Sequence, residues 1–372
     1  MKVLVLNAGS SSLKASVAGL ADGQIIDELF ERIGEDGGGP ADHGVAVAAM
    51  LGILSDAGIE VDAVGHRVVH GGETFTVPTL IDDLVIAGIE AQIPLAPLHN
   101  PANLAGIRAA LSALPDVPHV AVFDTAFHAT LPPAAYRYAV PDSWYEQHGV
   151  RRYGFHGTSH AYVARRAADI LGRPVGDLKI VSAHLGNGAS VCAVDGGISV
   201  DTSMGLGPLA GLVMGTRSGD VDATAVFHMV REGGMTLDEV DRALNRHSGL
   251  LGLAGRGDMR DVEAAVAQGD RKAQLALDVL VHRLAGYVGA YATTLGYLDA
   301  LVFTAGIGEH SALVRRRVCE RLGVLGVTLD RSANDAVRGE ARIDGHSGPA
   351  VLVIPTDEEH EIARQTVEVL GG

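Results

Sequence analysis

Short apolar runs and longer amphipathic stretches alternate along this chain of 372 residues. Residues 2–6 are almost entirely apolar, which predicts a buried strand. A turn of small residues follows, and residues 13–18 predict a second strand that returns alongside the first. The first segment therefore reads as a β-hairpin.

The same pattern recurs about half the chain later. Residues 179–194 predict a strand, a glycine-rich turn and a returning strand. Placing Lys2 on Lys179 brings Gly9 onto Gly186. We interpret the repeat as a duplicated domain, with a chance match between two short apolar hairpins as the alternative.

Strands and helices alternate after each hairpin. Residues 119–123 and 301–303 predict central strands, because both runs are apolar and bounded by polar turns. Residues 159–171 and 272–298 predict helices, the second one long and amphipathic. This alternation indicates α/β layers with largely parallel sheets. The glycine-rich segment 34–40 predicts a surface loop.

Composition sets limits on size and partners. The length favours two domains, and a hydrophobic content of 47% gives both of them enough apolar surface for a core. The formal net charge of -16 argues against nucleic acid or an anionic membrane as the main partner. An acidic protein that binds phosphates must therefore concentrate positive charge locally.

The cysteine count and the apolar runs indicate a cytoplasmic protein. Cys192 and Cys319 are the two cysteines, too few for a disulfide framework or a metal cluster, and they fit a reducing compartment. The first apolar run is too short for a signal peptide. No later stretch reaches the roughly 18 apolar residues that a membrane span needs.

The first hairpin turn has the groups that a polyphosphate requires. The chain has no Gly-x-x-x-x-Gly-Lys-[Ser/Thr] run, which argues against a P-loop protein. The turn offers backbone N–H groups, the hydroxyls of Ser10, Ser11 and Ser12, and the nearby cation of Lys14. Asn7 can bind a metal ion weakly or hold one of its waters. A glycine- and serine-rich hairpin with a surface lysine is the structural alternative.

Two more glycine-rich turns follow predicted strands. One covers residues 184–188, and the other covers residues 304–309, before a helix predicted to begin near Ser311. Glycines between a strand and a helix let a nucleotide approach the backbone closely. Three such turns indicate an actin-like duplication with ATP bound between two related domains.

Nine motifs, in order along the whole chain, resemble those of the acetate kinase (acetokinase) family. They are residues 7–14 (NAGSSSLK), 65–72 (GHRVVHGG), 96–101 (APLHNP), 123–128 (FDTAFH), 153–160 (YGFHGTSH), 184–188 (HLGNG), 214–219 (MGTRSG), 306–309 (GIGE) and 355–359 (PTDEE). The combination is highly specific.

The resemblance implies a fold and an assembly. It implies an α/β protein with two duplicated actin-like (ribonuclease H-like) domains, each a mixed sheet flanked by helices, with a cleft between them. Residues 1–150 and about 359–372 would form the acceptor-side domain, and residues 151–358 the nucleotide-binding domain. Closure of the two domains would exclude water. The family forms homodimers, here expected through the helix region 272–298.

The resemblance also implies a reaction: reversible, in-line transfer of the γ-phosphoryl group of ATP to acetate, giving acetyl phosphate and ADP, with Mg²⁺ or, as a substitute, Mn²⁺. Acetate has a pKa near that of a glutamate side chain, about 4.3, so it is already an anion at neutral pH. A general base is unnecessary. Catalysis must instead bring two anions together by means of cations, a metal ion and alignment.

Four residues take catalytic roles by this resemblance. Arg67 binds the acceptor carboxylate, and Arg217 and His156 stabilise the equatorial phosphoryl oxygens in the transition state. Asp124, directly after an apolar strand, positions Mg²⁺ through water or positions the acceptor. From the residues alone, Asp124 could equally cap a helix. The family positions that set acceptor size fall on Val69, Leu98, Phe155 and Pro208.

The nucleotide and metal positions carry over in the same way. Asn7 and Glu358 are the metal-site residues, since Mg²⁺ prefers oxygen ligands. The nucleotide-binding residues are Lys14, His184, Leu185, Gly186, Asn187, Gly188, Asp258, Met259, Arg260, Gly306, Ile307, Gly308, Glu309 and His310. Three positions depart from the common family pattern, namely Met259 for Phe, His310 for Asn and Asp357 for Asn. They put nucleotide preference and metal affinity in doubt.

The histidines need separate weighing. His156 and His160 lie four residues apart and could form a metal pair, but phosphoryl stabilisation by His156 with structural support from His160 is the better interpretation. His99 and His184 match family positions, and we expect them near the site.

Three other functions stay open at this point. A propionate or butyrate kinase would keep the phosphate turns and enlarge the acceptor pocket. A non-enzymatic nucleotide switch of the actin–Hsp70 type would not need the two arginine motifs. A sugar kinase would need a carboxylate base aimed at a hydroxyl group.

Overall fold

The computed structural model describes residues 1–9, 11–19, 23–35, 38–345 and 347–371, with the side chains of residues 23 and 24 excepted. Ser10 of the predicted phosphate turn and residues 36–37 of the predicted surface loop lie outside the described residues.

Twelve strands are present in the described part of the chain. They are β1 Lys2–Ala8, β2 Ser12–Gly19, β3 Gly23–Glu31, β4 Ala63–Val68, β5 Thr79–Leu80, β6 His119–Phe123, β7 Lys179–Leu185, β8 Ala189–Asp195, β9 Ile198–Thr202, β10 Ala300–Thr304, β11 Ala341–Arg342 and β12 Ala350–Val353.

Fifteen α-helices are present in the same described residues. They are α1 His43–Asp56, α2 Asp83–Ala91, α3 Asn100–Ala113, α4 Pro133–Tyr136, α5 Asp142–His148, α6 Gly157–Leu171, α7 Ala223–Arg231, α8 Leu237–Arg246, α9 Gly249–Ala254, α10 Met259–Ala267, α11 Arg271–Leu295, α12 Ala305–His310, α13 Ala312–Arg321, α14 Arg331–Asp335 and α15 Glu358–Val369.

The chain divides into two compact units. Unit 1 contains residues 1–129, 157–159 and 357–372, and unit 2 contains residues 130–156 and 160–356. Each unit contains one six-stranded mixed sheet. The domain boundaries at residues 150 and 359 that the sequence suggested stay a prediction.

The two sheets have the same strand order. In unit 1 it is β3-β2-β1-β4-β6-β5, and in unit 2, read in the same sense, it is β9-β8-β7-β10-β12-β11. In each sheet three antiparallel strands precede two parallel ones, and a short antiparallel strand forms the last edge. The predicted fold class, two mixed α/β sheets flanked by helices, is confirmed.

The register of the central strands repeats as well. Val3 pairs with Ala63 in unit 1, and Ile180 pairs with Ala300 in unit 2. Val3 and Ile180 are equivalent when Lys2 is placed on Lys179. The repeat therefore extends from the hairpins to the parallel strand that each hairpin adjoins.

In unit 1 helices cover both faces of the sheet. Helix α3 packs against β1 and β4, with α1 beside it, and α15 packs against β1, β4 and β6 on the other side. Gly65 of β4 makes the second contact possible, because a Cβ atom there would lie 2.6 Å from Thr366 Oγ1 of α15. Residues 3–6 of β1 are fully buried, as the unbroken apolar run predicted.

In unit 2 the long helix α11 packs on β7 and β8 and also contacts the helices α9, α10 and α13. Its start is fixed by Asp270, whose carboxylate accepts hydrogen bonds from the backbone N–H groups of Lys272 and Ala273. The helix predicted over residues 272–298 is present, but it ends at Leu295 because Gly296 adopts a positive φ of 83°.

One predicted turn is wrong. Residues 304–309 were expected to form a glycine-rich turn, but the chain passes from β10 directly into the helix α12. The change of direction is absorbed at Ala305, which has a positive φ of 62°. The two glycines of this short helix lower its helix propensity, so the sequence does not predict a helix here.

Candidate active site

Four polar residues of unit 1 lie together at one edge of its sheet, and we call them the Arg67 cluster: Asn7, Arg67, Asp124 and Glu358. Asn7 lies near the end of β1, Arg67 near the end of β4, and Asp124 directly after β6. These three strands are parallel neighbours, so their carboxyl ends meet. Glu358 is the first residue of α15.

Arg67 is the centre of this cluster. Its Nε donates to Asp124 Oδ1 at 3.0 Å, and its Nη2 donates to Asp124 Oδ2 at 2.7 Å. Its Nη1 lies 3.4 Å from Asn7 Oδ1, and Glu358 Oε2 lies 3.6 Å from Nε. One guanidinium group thus aligns two carboxylates and an amide oxygen.

Burial makes these charges interact strongly. Asp124 is 1% exposed. Burial raises the pKa of Asp124, and the Arg67 guanidinium opposes this by favouring the carboxylate. Burial also disfavours the charge on Arg67, but Asp124 and Glu358 outweigh it and raise the pKa of Arg67 above its ordinary value. The pair is held as guanidinium and carboxylate.

The other predicted residues of unit 1 are placed unequally. His99, next to α3, is close enough for its charge to lower the pKa of Asp124. Val69 follows β4, and its backbone N–H donates a hydrogen bond to Asn103 Oδ1, whereas Leu98 is 55% exposed. Lys14 pairs with Glu359 at 2.8 Å, which places its ammonium group against α15.

The departure at Asp357 has a local explanation. Its carboxylate accepts a hydrogen bond from the backbone N–H of His360 at 2.9 Å and so caps α15. Asn serves equally well at this position of a helix. Asp357 therefore fulfils a structural role that the residue usual in relatives would also fulfil.

In unit 2 three histidines and two serines form a second group, which we call the His156 cluster: His156, His160, His184, Ser182 and Ser190. Ser182 and His184 lie on β7, Ser190 on β8, and His160 on α6. The rings of His156 and His184 stack, with centroids 4.1 Å apart and planes 17° apart. His184 therefore supports one face of the His156 ring.

Hydrogen bonds connect the same residues. His156 Nδ1 lies 2.9 Å from Ser190 Oγ, and His160 Nε2 lies 2.8 Å from the same oxygen. His160 Nδ1 lies 2.7 Å from Ser182 Oγ. The predicted supporting role of His160 is thus compatible with its position behind His156, since the bridge between the two rings is a single hydroxyl group.

His156 has an unusual backbone. Its φ of 58° lies in the left-handed region, which a non-glycine residue adopts only at a cost. Arg32, His156 and Ala305 are the non-glycine residues with positive φ in the described chain. Two of these three positions belong to predicted site motifs, which is where such strain tends to concentrate.

Arg217 lies beside His156, and Gly188 marks the place where they meet. A Cβ atom at Gly188 would lie 2.7 Å from Arg217 Nη2 and 3.5 Å from His156 Nε2. Arg217 Nη1 donates to the carbonyl oxygen of Pro208 at 2.6 Å. In the described residues Arg217 makes no salt bridge, and burial lowers its pKa. A guanidinium group stays charged even so, so this is a half-buried positive charge without an acidic partner among the described residues.

Most of the predicted nucleotide-binding residues line a cavity of about 600 Å³ in unit 2. Its lining is Gly186, Asn187, Gly257, Asp258, Met259, Arg260, Glu263, Gly306, Ile307, His310 and Ser311. Gly186, Asn187, Gly306 and Ile307 belong to the two glycine-rich segments, and Asp258, Met259, Arg260 and His310 were also predicted from the sequence. The cavity has the volume of a typical small-molecule site.

Some predicted nucleotide residues do not line this cavity. Leu185 is 3% exposed within β7, and Gly308 is buried. Glu309 accepts a hydrogen bond from the backbone N–H of Thr356 at 3.2 Å. Of the acceptor-size positions in unit 2, Phe155 is 2% exposed, and Pro208 contributes its carbonyl group to Arg217.

The Arg67 cluster fits a magnesium ion better than a transition metal. No group of three or more His, Cys, Asp or Glu side chains in the described residues could enclose a metal ion. The cluster instead offers two carboxylates and one amide oxygen. Mg²⁺ is usually held in this way, by one or two carboxylates, with waters and substrate phosphates completing the octahedron.

Sequence reasoning missed three residues at these sites. Ser182 and Ser190 connect the histidines, and Arg315 donates to the carbonyl oxygens of Gly308 and Glu309. Arg315 is 1% exposed and forms no salt bridge within the part of the chain that the structure describes. A serine inside a predicted apolar strand was the available signal for Ser182 and Ser190, and Arg315 had none.

Comparisons with known proteins agree with this picture. Residues 2–364 match the acetokinase family. The acetate kinase of Leifsonia xyli is 54% identical, with 99% of each chain covered, and that of Deinococcus radiodurans is 53% identical over 100% of this chain and 99% of the relative. The chain is a member of the acetokinase family, a family of kinases that transfer a phosphoryl group to a carboxylate.

Solved structures of relatives have the same fold. The crystal structure of Porphyromonas gingivalis acetate kinase is 42% identical, with a TM-score of 0.94 and 99% of each chain covered. A propionate kinase from Francisella tularensis is 40% identical, with the same TM-score and coverage.

No helix of the described residues has the length and hydrophobicity required to cross a bilayer.

Proposed function

We propose that this protein catalyses the reversible transfer of the γ-phosphoryl group of ATP to acetate. In the forward direction a carboxylate oxygen of acetate attacks the γ-phosphorus, the bond to the β,γ-bridging oxygen breaks, and ADP leaves. The observation that carries the proposal is the ion pair between Asp124 and Arg67. Both oxygens of this buried carboxylate accept hydrogen bonds from the guanidinium group.

This ion pair favours a carboxylate acceptor over a hydroxyl acceptor. A sugar kinase needs a carboxylate that removes a proton from a hydroxyl group. Asp124 has the position for that role, directly after β6, but its oxygens are engaged by a cation. A carboxylate acceptor needs no base, because it is already ionised at neutral pH.

Arg67 is the proposed contact for the acceptor. Two of its N–H groups bind Asp124, and a third points toward Asn7. The N–H groups that remain can bind the acetate carboxylate, and the side chain is 19% exposed, so a small anion can reach it. Asp124 then acts by holding the guanidinium plane in one orientation.

Arg217 and His156 are the proposed contacts for the transferred phosphoryl group. Arg217 is a half-buried cation with no acidic partner in the described residues. Such a charge is costly unless an anion binds to it. His156 Nε2 and Arg217 Nη2 flank the same point at Gly188, so both could contact one phosphoryl group.

Asn7 and Glu358 are the residues that would hold Mg²⁺, directly or through its waters, and Asp124, whose oxygens bind Arg67, would reach the ion through a water. When bound, the ion neutralises phosphate charge. The 600 Å³ cavity is the proposed adenosine site, and Lys14 and His184 stay candidates for phosphate contact.

Propionate is the second candidate acceptor. The propionate kinase from Francisella tularensis is as similar in fold to this chain as the acetate kinase from Porphyromonas gingivalis. One methylene group changes binding by only about 1–3 kcal/mol in an apolar pocket. Values of kcat/KM for acetate, propionate and butyrate would rank the acceptors, and a higher value for propionate would reverse the proposal.

One assay tests the reaction directly. Acetate, ATP and Mg²⁺ are incubated with the protein, and acetyl phosphate is trapped with hydroxylamine and measured. Arg67→Ala and Arg217→Ala should each remove most turnover. Arg331→Ala is the matched control, since its side chain is 74% exposed in a surface ion pair. Turnover close to wild type in both site variants would contradict the proposal.

Two further properties are proposed on the same basis. We infer a homodimer and a cytoplasmic location, the second because the chain has only two cysteines, too few for a disulfide framework. Light scattering of the purified protein would measure its mass in solution. A monomer at micromolar concentration would contradict the first inference.

A further inference from the structure

The hydroxyl group of Ser190 lies between two histidine rings of unit 2. Its Oγ is 2.9 Å from His156 Nδ1 and 2.8 Å from His160 Nε2. His160 Nδ1 is in turn 2.7 Å from Ser182 Oγ. Ser182, His160 and Ser190 are each 0% exposed. The four side chains therefore form one hydrogen-bonded chain that is closed to water behind His156.

A hydroxyl group carries only one hydrogen, and a neutral imidazole carries only one N–H. When both rings are neutral, Ser190 donates to one ring and accepts from the other. The chain then has only two arrangements. In one, every hydrogen points toward His156; in the other, every hydrogen points toward Ser182.

The chemistry at His156 chooses between these arrangements. Its Nε2 lies near the point at Gly188 that Arg217 also flanks. Phosphoryl oxygens accept hydrogen bonds, so a ring nitrogen beside them must carry hydrogen. An unprotonated Nε2 would present a lone pair to them and repel them.

We propose that Ser190 is a positioning residue that holds His156 as the Nε2–H tautomer. Ser182 O–H donates to His160 Nδ1, His160 Nε2–H donates to Ser190 Oγ, and Ser190 O–H donates to His156 Nδ1. His156 Nε2–H then faces the phosphoryl group. The catalytic use of this N–H rests on the proposed function. The direction of the hydrogen bonds from Ser182 to His156 does not depend on that function.

The surroundings of His156 support this role. Its ring stacks on His184, and its backbone has a φ of 58°, so ring and main chain are both held in place. With the orientation set by these contacts, the position of the proton is what the hydroxyl group decides.

The first test reads the tautomer without using activity. The protein is labelled with ¹⁵N at histidine, and two-bond ¹H–¹⁵N spectra are recorded at about pH 8, where an ordinary imidazole is neutral. His156→Gln and His160→Gln assign the signals. We expect wild-type His156 to be protonated at Nε2 and Ser190→Ala to shift it toward the Nδ1–H form. A wild-type protein with the proton on Nδ1, or an unchanged tautomer in Ser190→Ala, overturns the proposal.

The second test is kinetic. Ser190→Ala should lower kcat about 10- to 100-fold with little change in KM for ATP or acetate, by analogy with the loss of the hydrogen-bond partner of a metal-binding histidine. Ser190→Thr keeps the hydroxyl group and should recover most of kcat. Equal losses in both variants would indicate a packing role only and would contradict the proposal.

Two variants serve as controls. Ser16→Ala removes another fully buried serine hydroxyl, on β2, which has no hydrogen-bond partner in the described structure, and should change neither tautomer nor kcat. Ser182→Ala acts one ring further back and gives a second test if Ser190→Ala does not fold. It should shift the tautomer of His160, and an unchanged His160 tautomer would contradict the proposed series of hydrogen bonds. If wild-type protein forms no acetyl phosphate, the proposed function fails while the spectra still test the chain.

Discussion

Arg67 and Asp124 form a two-point ion pair in which Nε and Nη2 of the guanidinium each meet one carboxylate oxygen, at 3.0 and 2.7 Å. Arg67 lies in β4 and Asp124 directly follows the neighbouring parallel strand β6, whose register places Arg67 opposite Val122. Asp124 is two residues beyond Val122, and side chains two residues apart along a strand lie on the same face of a sheet. Strand pairing therefore brings Arg67 and Asp124 close together at the edge of the sheet.

This pair leads to the first prediction. Asp124→Asn keeps the size of the side chain but removes its charge and turns an N–H group toward Arg67. Losing one partner of a buried charged pair costs about 2–5 kcal/mol. We expect kcat/KM for acetate to fall by at least about 30-fold.

The matched control is Asp142→Asn. Asp142 also pairs with an arginine, Arg137, but its side chain is 78% exposed. Such surface pairs contribute little, so this variant should keep wild-type kinetics. An Asp124→Asn enzyme with the same kcat/KM as the control would refute the importance of the pair.

The second prediction concerns Gly188. In Gly188→Ala the new Cβ atom would lie 2.7 Å from Arg217 Nη2, so the guanidinium must move. Loss of one such stabilising group lowers kcat by about 10²–10³. The binding of ADP, followed by calorimetry, should change much less than kcat.

Gly207→Ala is its control. Gly207 lies in the segment that leads to Arg217, and a Cβ atom there would meet no other atom within 4 Å. It should retain full activity. Equal kcat values in the two alanine variants would show that Arg217 is not needed where it lies.

The third prediction is a pH dependence of stability. His66 on β4 and His119 on β6 are buried, and His66 Nε2 lies 2.9 Å from His119 Nδ1. His119 Nε2 also lies 3.0 Å from the carbonyl oxygen of Leu114. Burial lowers the pKa of both residues, and the neighbouring His119 lowers the pKa of His66 further.

The sign follows from linkage. Below about pH 6.5 the unfolded chain binds protons at these two histidines, and the folded chain resists binding them. The free energy of unfolding should therefore fall as the pH drops below about 6.5. Urea unfolding followed by circular dichroism at several pH values measures it.

The double variant His66→Leu/His119→Leu should lose less stability over the same pH range. Replacing two exposed histidines, His148→Asn and His247→Asn, should leave the pH dependence as in wild type. If the free energy of unfolding of the His66→Leu/His119→Leu variant falls with pH as steeply as that of wild type, other groups are responsible for the acid sensitivity.

The fourth prediction concerns Arg315. Its guanidinium binds the carbonyl oxygens of Gly308 and Glu309 at the end of α12, and it also binds Asn334. A cation is favourable at the end of a helix. Arg315→Met should release α12 and weaken ADP binding about 10-fold, or by about 1.4 kcal/mol.

Calorimetry with ADP checks this prediction, with Arg331→Met as the control because that arginine is exposed. KM for acetate should stay close to wild type in both variants. Unchanged ADP affinity in Arg315→Met would show that α12 keeps its place without this clamp.

The hairpin strands were predictable because their signals are local. The apolar run of residues 2–6 and its copy at 179–183 each lie within a strand that the structure shows. The helix at residues 159–171 is likewise present as α6. The helix α12 was missed because glycines favour a turn, and tertiary contacts, namely packing on β7 and β10 and the hydrogen bonds from Arg315, stabilise a helix there.

By itself the sequence determined the strands, the repeat, the motif residues and the chemistry that each side chain can offer. These properties depend on residues close together in the chain, and local patterns record them. The tertiary structure alone decided that Asp124 holds Arg67, that Arg217 has no acidic partner in the described residues, and that Ser190 joins two histidines. Such contacts join residues far apart in sequence, and their energies depend on burial, which arises only when the chain has folded.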